Sequence, residues 1–111
     1  MLKAVARRCR EVLRDADLFA RFGGEEFIGL LITSSEEEVA LIAERLRAAI
    51  AGEAIAVGAM NIQVSVSVGT AAGPAALAGE ACTAEVLIAR ADAALYLAKQ
   101  GGRNQVVMAE A

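Results

Sequence analysis

Histidine is absent from this 111-residue chain. That removes imidazole triads, histidine-held metals and the usual general base near neutrality. Any chemistry must come from carboxylates, lysines and arginines. Cysteine is scarce: Cys9 and Cys82 lie far apart, with no spacing that suits a metal. Both read as small core residues in a reducing compartment. Aromatics make up only 4% of the chain, so the core must be built from alanine, valine, leucine and isoleucine. Positive charge is not in excess: at a net charge of −3 the chain as a whole is not an electrostatic binder of nucleic acid. No apolar run approaches the length of a membrane span, so no membrane contact is expected from this segment. The N-terminal stretch is amphipathic and arginine-rich, without the apolar region and cleavage site of a secretory signal. The expected location is the cytoplasm.

What is present suits one folded domain. Hydrophobic residues account for 57% and mean hydropathy is +0.49, which argues against disorder. Residues 2 to about 14 read as an amphipathic helix, with Val5, Cys9 and Val12 on one face and Arg7, Arg8 and Arg10 opposite. Ser35 opens a second helix, and Ser35-x-x-Glu38 has the form of a capping box. Its buried stripe is Val39, Ile42, Ala43, Leu46 and Ile50, and Gly52 suits the C′ position. A short strand is expected over 54–57, turned by Gly58 and Ala59. Ile62, Val64, Val66 and Val68 alternate with Gln63, Ser65 and Ser67, which predicts a strand over 62–68. A loop then leads to Thr83, the expected N-cap of a third helix running to about Gln100. Gly101 ends that helix, and residues 104–108 give a last strand. The fold class is α+β, with helices packed on a mixed or antiparallel sheet.

The run Arg21-Phe22-Gly23-Gly24-Glu25-Glu26-Phe27 carries the most information. Apolar stretches flank it on both sides, so it reads as a β-hairpin with Gly-Gly-Glu-Glu at the tip. Glycine there permits positive φ and lets another molecule approach the backbone. Adjacent carboxylates offer hard oxygen donors that suit Mg²⁺, and Mg²⁺ suits phosphates. A plain solvated turn is the other reading of the same residues.

Several further motifs, in order, decide between the two. Arg14-Asp15-Ala16-Asp17 precedes the hairpin. Ser65-Val66-Ser67-Val68-Gly69, Arg90-Ala91-Asp92-Ala93-Ala94-Leu95-Tyr96-Leu97-Ala98-Lys99 and Gly102-Arg103-Asn104 follow it. With these the chain resembles the C-terminal two-thirds of a GGDEF domain, the catalytic module of diguanylate cyclases. The resemblance implies a nucleotidyl-cyclase palm-like fold lacking its first strand and helix. It also implies the family's reaction, in which two GTP molecules condense to cyclic di-GMP. Each 3′-hydroxyl attacks the other nucleotide's α-phosphate and pyrophosphate leaves, so two domains must face each other as a homodimer.

Residue by residue, the resemblance implies that Gly23 and Gly24 pass the nucleotide close to backbone. Glu25 would ligate Mg²⁺ (or Mn²⁺), with Glu26 near the metal or acting on the 3′-hydroxyl proton. Lys99 and Arg103 resemble the pair that grips the GTP phosphates. Lys99 read alone is more simply a cation answering a helix dipole; beside Gly102-Arg103-Asn104 the phosphate reading is preferred. Arg14 and Asp17 match the Arg-x-x-Asp pattern of an inhibitory site for cyclic di-GMP, completed by Arg45 from a neighbouring subunit. An ordinary surface ion pair is the competing reading. Arg21 fits the family pattern with no chemical role assigned. In the family an earlier strand supplies a metal-binding aspartate and an earlier segment recognises guanine. Neither is among these residues, so the metal site is expected to be incomplete, the sheet to show open edges, and the chain alone to be inactive. A non-catalytic cyclic di-GMP-binding or dimerisation module is the alternative.

Overall fold

The computed structural model describes residues 2–14, 17–24, 26–31, 35–72 and 84–109. Glu25, Cys82 and Thr83 lie outside them. Helix α1 (Leu2–Val12) leads into a hairpin of β1 (Leu18–Gly23) and β2 (Glu26–Leu30). Helix α2 (Glu36–Ala51) is followed by β3 (Ile55–Val57), β4 (Met60–Ile62) and β5 (Val68–Thr70). Helix α3 (Ala84–Gln100) and β6 (Val106–Met108) complete the order.

The amphipathic spacing read from α1 buries Val5 and Cys9 against Ile50 of α2 and Ile55 of β3. Phe19, Phe27, Leu46, Val64 and Val66 pack around this cluster. Burial pushes the Cys9 thiol up from its usual value. Such a thiol stays protonated and serves as a small apolar residue. Arg8 ties α1 to the segment just past α2 by donating to the carbonyls of Glu53 (2.5 Å) and Ala54 (3.0 Å). Carbonyls at and just past a helix C-terminus lack intrahelical partners, and a guanidinium answers them.

Ser35 caps α2 as expected, its hydroxyl accepting from the Glu38 N–H at 3.2 Å. Gly52 differs from expectation. It is the C-cap itself, with φ −73°, and its N–H closes onto Ala48 O at 2.8 Å. The helix therefore ends without a left-handed residue.

Among the described residues the strands form three two-stranded sheets: antiparallel β1–β2 and β3–β4, and parallel β5–β6. The single strand expected over 62–68 is not continuous. Residues 63–67 make no ladder, although Val64 and Val66 still turn inward while Gln63 and Ser65 face solvent. Side-chain alternation survives there, but a strand also needs a hydrogen-bonding neighbour. The hairpin likewise stands apart from β5–β6, with Leu18, Phe22 and Leu30 exposed on it. The last strand begins at Val106, because Asn104 has φ 47° and belongs to the preceding turn.

Helix α3 lies directly on β5. A Cβ added at Gly69 would stand 2.3 Å from both Ala91 O and Leu95 N. Backbone meets backbone here, and the small residues Ala94 and Ala98 of α3 are buried. Gly69→Ala is expected to cost about 3 kcal/mol, since the obstacle is backbone and cannot turn aside. Urea denaturation measures it; a loss within about 0.5 kcal/mol of zero would contradict this packing.

Candidate nucleotide site

Phe19 and Phe27 anchor the hairpin. Their rings stack at 5.2 Å between centroids, 13° from parallel, and both sit against the core. The ladder runs from Leu18↔Leu30 to Arg21↔Phe27, then skips Phe22 and resumes at Gly23↔Glu26. Two residues connect the paired Gly23 and Glu26, and Gly24 has φ 53°, in the left-handed region that short hairpin turns favour. Gly24 thus has a backbone reason to be glycine. Gly23 has none: its φ is not positive, and an added Cβ would meet nothing within 4 Å. The space beside it is open, as close approach of a ligand requires.

Arg21, which the sequence left without a role, braces this tip. Its Nε donates to Gly24 O at 2.8 Å, and its Nη2 donates to the same carbonyl. The guanidinium closes the bend on itself at Gly24. Only the i, i+3 spacing hints at this in the sequence.

The hairpin tip and the end of α3 meet. Lys99 Nζ lies 3.8 Å from Glu26 Oε2, with both side chains partly exposed. A partly exposed pair is worth at most about 1 kcal/mol, so a competing anion or cation displaces it readily. Arg103 stands exposed on the turn just past α3. Among the described residues no group of three or more carboxylate or cysteine side chains could hold a metal by itself. The donor chemistry nonetheless fits Mg²⁺, which takes one or two carboxylates together with phosphates and water.

Arg14 and Asp17 close into a ring. Asp17 N–H donates to Arg14 O at 2.9 Å, and Asp17 Oδ2 accepts from Arg14 N–H at 2.9 Å and from its Nε at 3.3 Å. The Asp17 side chain is sealed from solvent while that of Arg14 is 46% exposed. Arg14 Nη1 also reaches Glu38 Oε1 at 2.8 Å, at the start of α2. Hydrogen bonds to Asp17 and then Glu38 push the guanidinium further above its usual pKa. Arg45 follows Glu38 by seven residues, two turns along the same face of α2, and is exposed. The structure does not join Arg45 to Arg14 or Asp17 within the chain.

The turn after α3 is held at several points. Gly101 N–H donates to Leu97 O at 2.9 Å and Arg103 N–H to Ala98 O at 3.0 Å. Gln105 Nε2 donates to Ala98 O at 3.1 Å. From α2, Arg47 Nη1 donates to Asn104 Oδ1 at 3.0 Å. Glu44 grips the other edge of Arg47, Nε to Oε1 at 2.8 Å and Nη2 to Oε2 at 2.5 Å. Hydrogen bonding from Arg47 lowers the Glu44 pKa. The stabilisation is therefore present at neutral pH and is lost as pH falls through the folded-state value.

Comparison with known proteins gives this geometry a context. Residues 1–105 match the family described as "Diguanylate cyclase, GGDEF domain". The chain is 42% identical over 109 residues to diguanylate cyclase DgcP of Pseudomonas aeruginosa, covering 98% of this chain and 16% of DgcP. The GGDEF domain of YfiN (TpbB) from Pseudomonas aeruginosa superposes with a TM-score of 0.87 at 32% identity, covering 98% of this chain and 62% of that one. The coiled-coil and GGDEF region of DgcB from Caulobacter crescentus, solved in complex with c-di-GMP, gives 0.82 at 28% identity, covering 97% and 56%. The chain spans less than a third of the length of the curated relatives it matches. No helix among the described residues is long and apolar enough to cross a membrane. The motifs, the hairpin and the shared fold agree, and the chain belongs to the GGDEF domain family of the diguanylate cyclases.

Proposed function

We propose that the cleft between the hairpin tip and the end of α3 binds the phosphates of GTP. In this reading the chain forms part of one half-site of a diguanylate cyclase. The observation that carries it is the approach of Lys99 Nζ to Glu26 Oε2 at 3.8 Å, across 73 residues of sequence. A solvated acidic turn would have no reason to face a cation from the far end of the chain. Gly23 supports the same reading, since neither its φ nor its packing asks for glycine.

The roles follow from the residue chemistry. Lys99 acts as a point charge on the phosphates, and Arg103 binds them as a fork. Gly23 and Gly24 let the nucleotide lie against backbone. Glu25 would supply oxygen donors for Mg²⁺, with Glu26 either near the metal or acting on the 3′-hydroxyl proton. A bound Mg²⁺ would act as a Lewis acid and orient the leaving pyrophosphate. A second domain must present the other nucleotide, so the active form is a dimer. Catalysis in this reading also needs the family's metal-binding aspartate, which is not among these 111 residues. When the pure chain is incubated with GTP and Mg²⁺, chromatography should detect no steady formation of cyclic di-GMP. Sustained product would overturn this part of the reading.

A second role is favoured by the ring between Arg14 and Asp17, which is complete within the chain. We propose that it binds cyclic di-GMP, with Arg45 contributed by a neighbouring copy. Arg14 would turn outward to cover guanine and phosphate, which would open the sealed Asp17 carboxylate to a guanine edge. Glu38 competes for the same guanidinium. Calorimetry with cyclic di-GMP should show binding by the wild-type chain, loss of binding in Arg14→Ala, and tighter binding in Glu38→Gln. Equal affinity for wild type and Arg14→Ala would remove the site.

A further inference from the structure

Arg103 and Asn104 both have positive φ, 65° and 47°. Asparagine enters that region readily, whereas arginine seldom does. Two consecutive residues of this kind persist only where the surroundings over-determine them. Three attachments do so here. Arg103 N–H and Gln105 Nε2 both bond to Ala98 O, which ties the turn to α3. The third comes from another helix, 57 residues away: Arg47 Nη1 donates to Asn104 Oδ1 at 3.0 Å.

Arg47 is well placed to hold rather than merely touch. Its Nε and Nη2 edge is occupied by Glu44, which leaves Nη1 aimed at Asn104. Its side chain is only 23% exposed. A planar fork can serve two partners on two edges at once, which a lysine ammonium on a flexible stem does poorly. The adjoining Arg103 is exposed. The backbone that aims it is thus fixed from α2 through its neighbour.

We propose that Arg47 is a positioning residue for Arg103, acting through Asn104 to set the direction in which that guanidinium meets phosphate. This rests on the reading of Arg103 as a GTP-phosphate ligand. Arg47 touches no ligand itself; with Glu44 it forms a strut from α2 to the turn.

The test is calorimetric titration of the chain with GTP in the presence of Mg²⁺, with thermal unfolding of each variant. Arg103→Ala should weaken binding by about tenfold, the range of a lost charged hydrogen bond. Arg47→Ala should weaken it by about three- to fivefold, and the Arg47→Ala/Arg103→Ala double variant no further than Arg103→Ala alone. Asn104→Gly tolerates the positive φ but removes the acceptor. It should keep the wild-type melting temperature and bind like Arg47→Ala, which a purely structural role would not produce. If Arg103→Ala weakens binding but Arg47→Ala and Asn104→Gly do not, the positioning role is overturned. The same holds if Arg47→Ala costs as much in the Arg103→Ala background as in wild type. If Arg103→Ala leaves binding intact, or the wild-type chain does not bind GTP, the phosphate reading itself fails and the inference with it.

Discussion

Residue 69 has no side chain, and the placement of Lys99 and Arg103 at the end of α3 depends on that. Strand β5 and helix α3 approach so closely that a Cβ at Gly69 would fall 2.3 Å from two backbone atoms of the helix. Alanines at 94 and 98 complete a thin seam between α3 and its neighbours. The helix then runs to Gln100, and its last turn carries Lys99 to the hairpin. On the other side, the stacked Phe19 and Phe27 lock the hairpin to the core formed by α1, α2 and β3. The meeting of Glu26 and Lys99 is the point at which these two rigid supports converge.

Much of this was legible in the sequence because it is local. The helices follow from periodic burial, the cap at Ser35 from its offset to Glu38, and the hairpin from paired glycines between apolar runs. The joining of Arg14 to Asp17 follows from i, i+3 spacing. Other features depend on partners distant in the chain and left no such signal. The apolar alternation over 62–68 predicts side-chain facing, which survives at Val64 and Val66, but it cannot supply a neighbouring strand. Contacts from Arg8 to Ala54, Arg14 to Glu38 and Arg47 to Asn104 cross 46, 24 and 57 residues. Arg21 was the subtler miss, because its partner is a backbone carbonyl and not a side chain.

The two candidate sites share a design. In each, the cation proposed to meet a ligand rests on a carboxylate of the chain itself: Lys99 on Glu26, and Arg14 on Asp17 and Glu38. The pairs of Lys99 with Glu26 and of Arg14 with Glu38 are partly exposed and exchange at small cost, whereas Asp17 holds Arg14 from a sealed position. Phosphate binding would then replace one ionic partner with another, without desolvating a bare charge. A net charge of −3 is compatible with the proposed phosphate binding, because positive charge can act locally without being spread over the surface.

The central claim is that the glycine-rich acidic tip and the C-terminal end of α3 are two walls of one phosphate-binding cleft. Amide and side-chain nuclear magnetic resonance of the chain, titrated with GTP and Mg²⁺, tests it most directly. The account predicts saturating shifts, with a common dissociation constant, at Gly23, Gly24 and Glu26 and at Lys99 and Arg103, while Arg14 and Asp17 stay still. Shifts at only one of the two walls, or different dissociation constants at each, would contradict it.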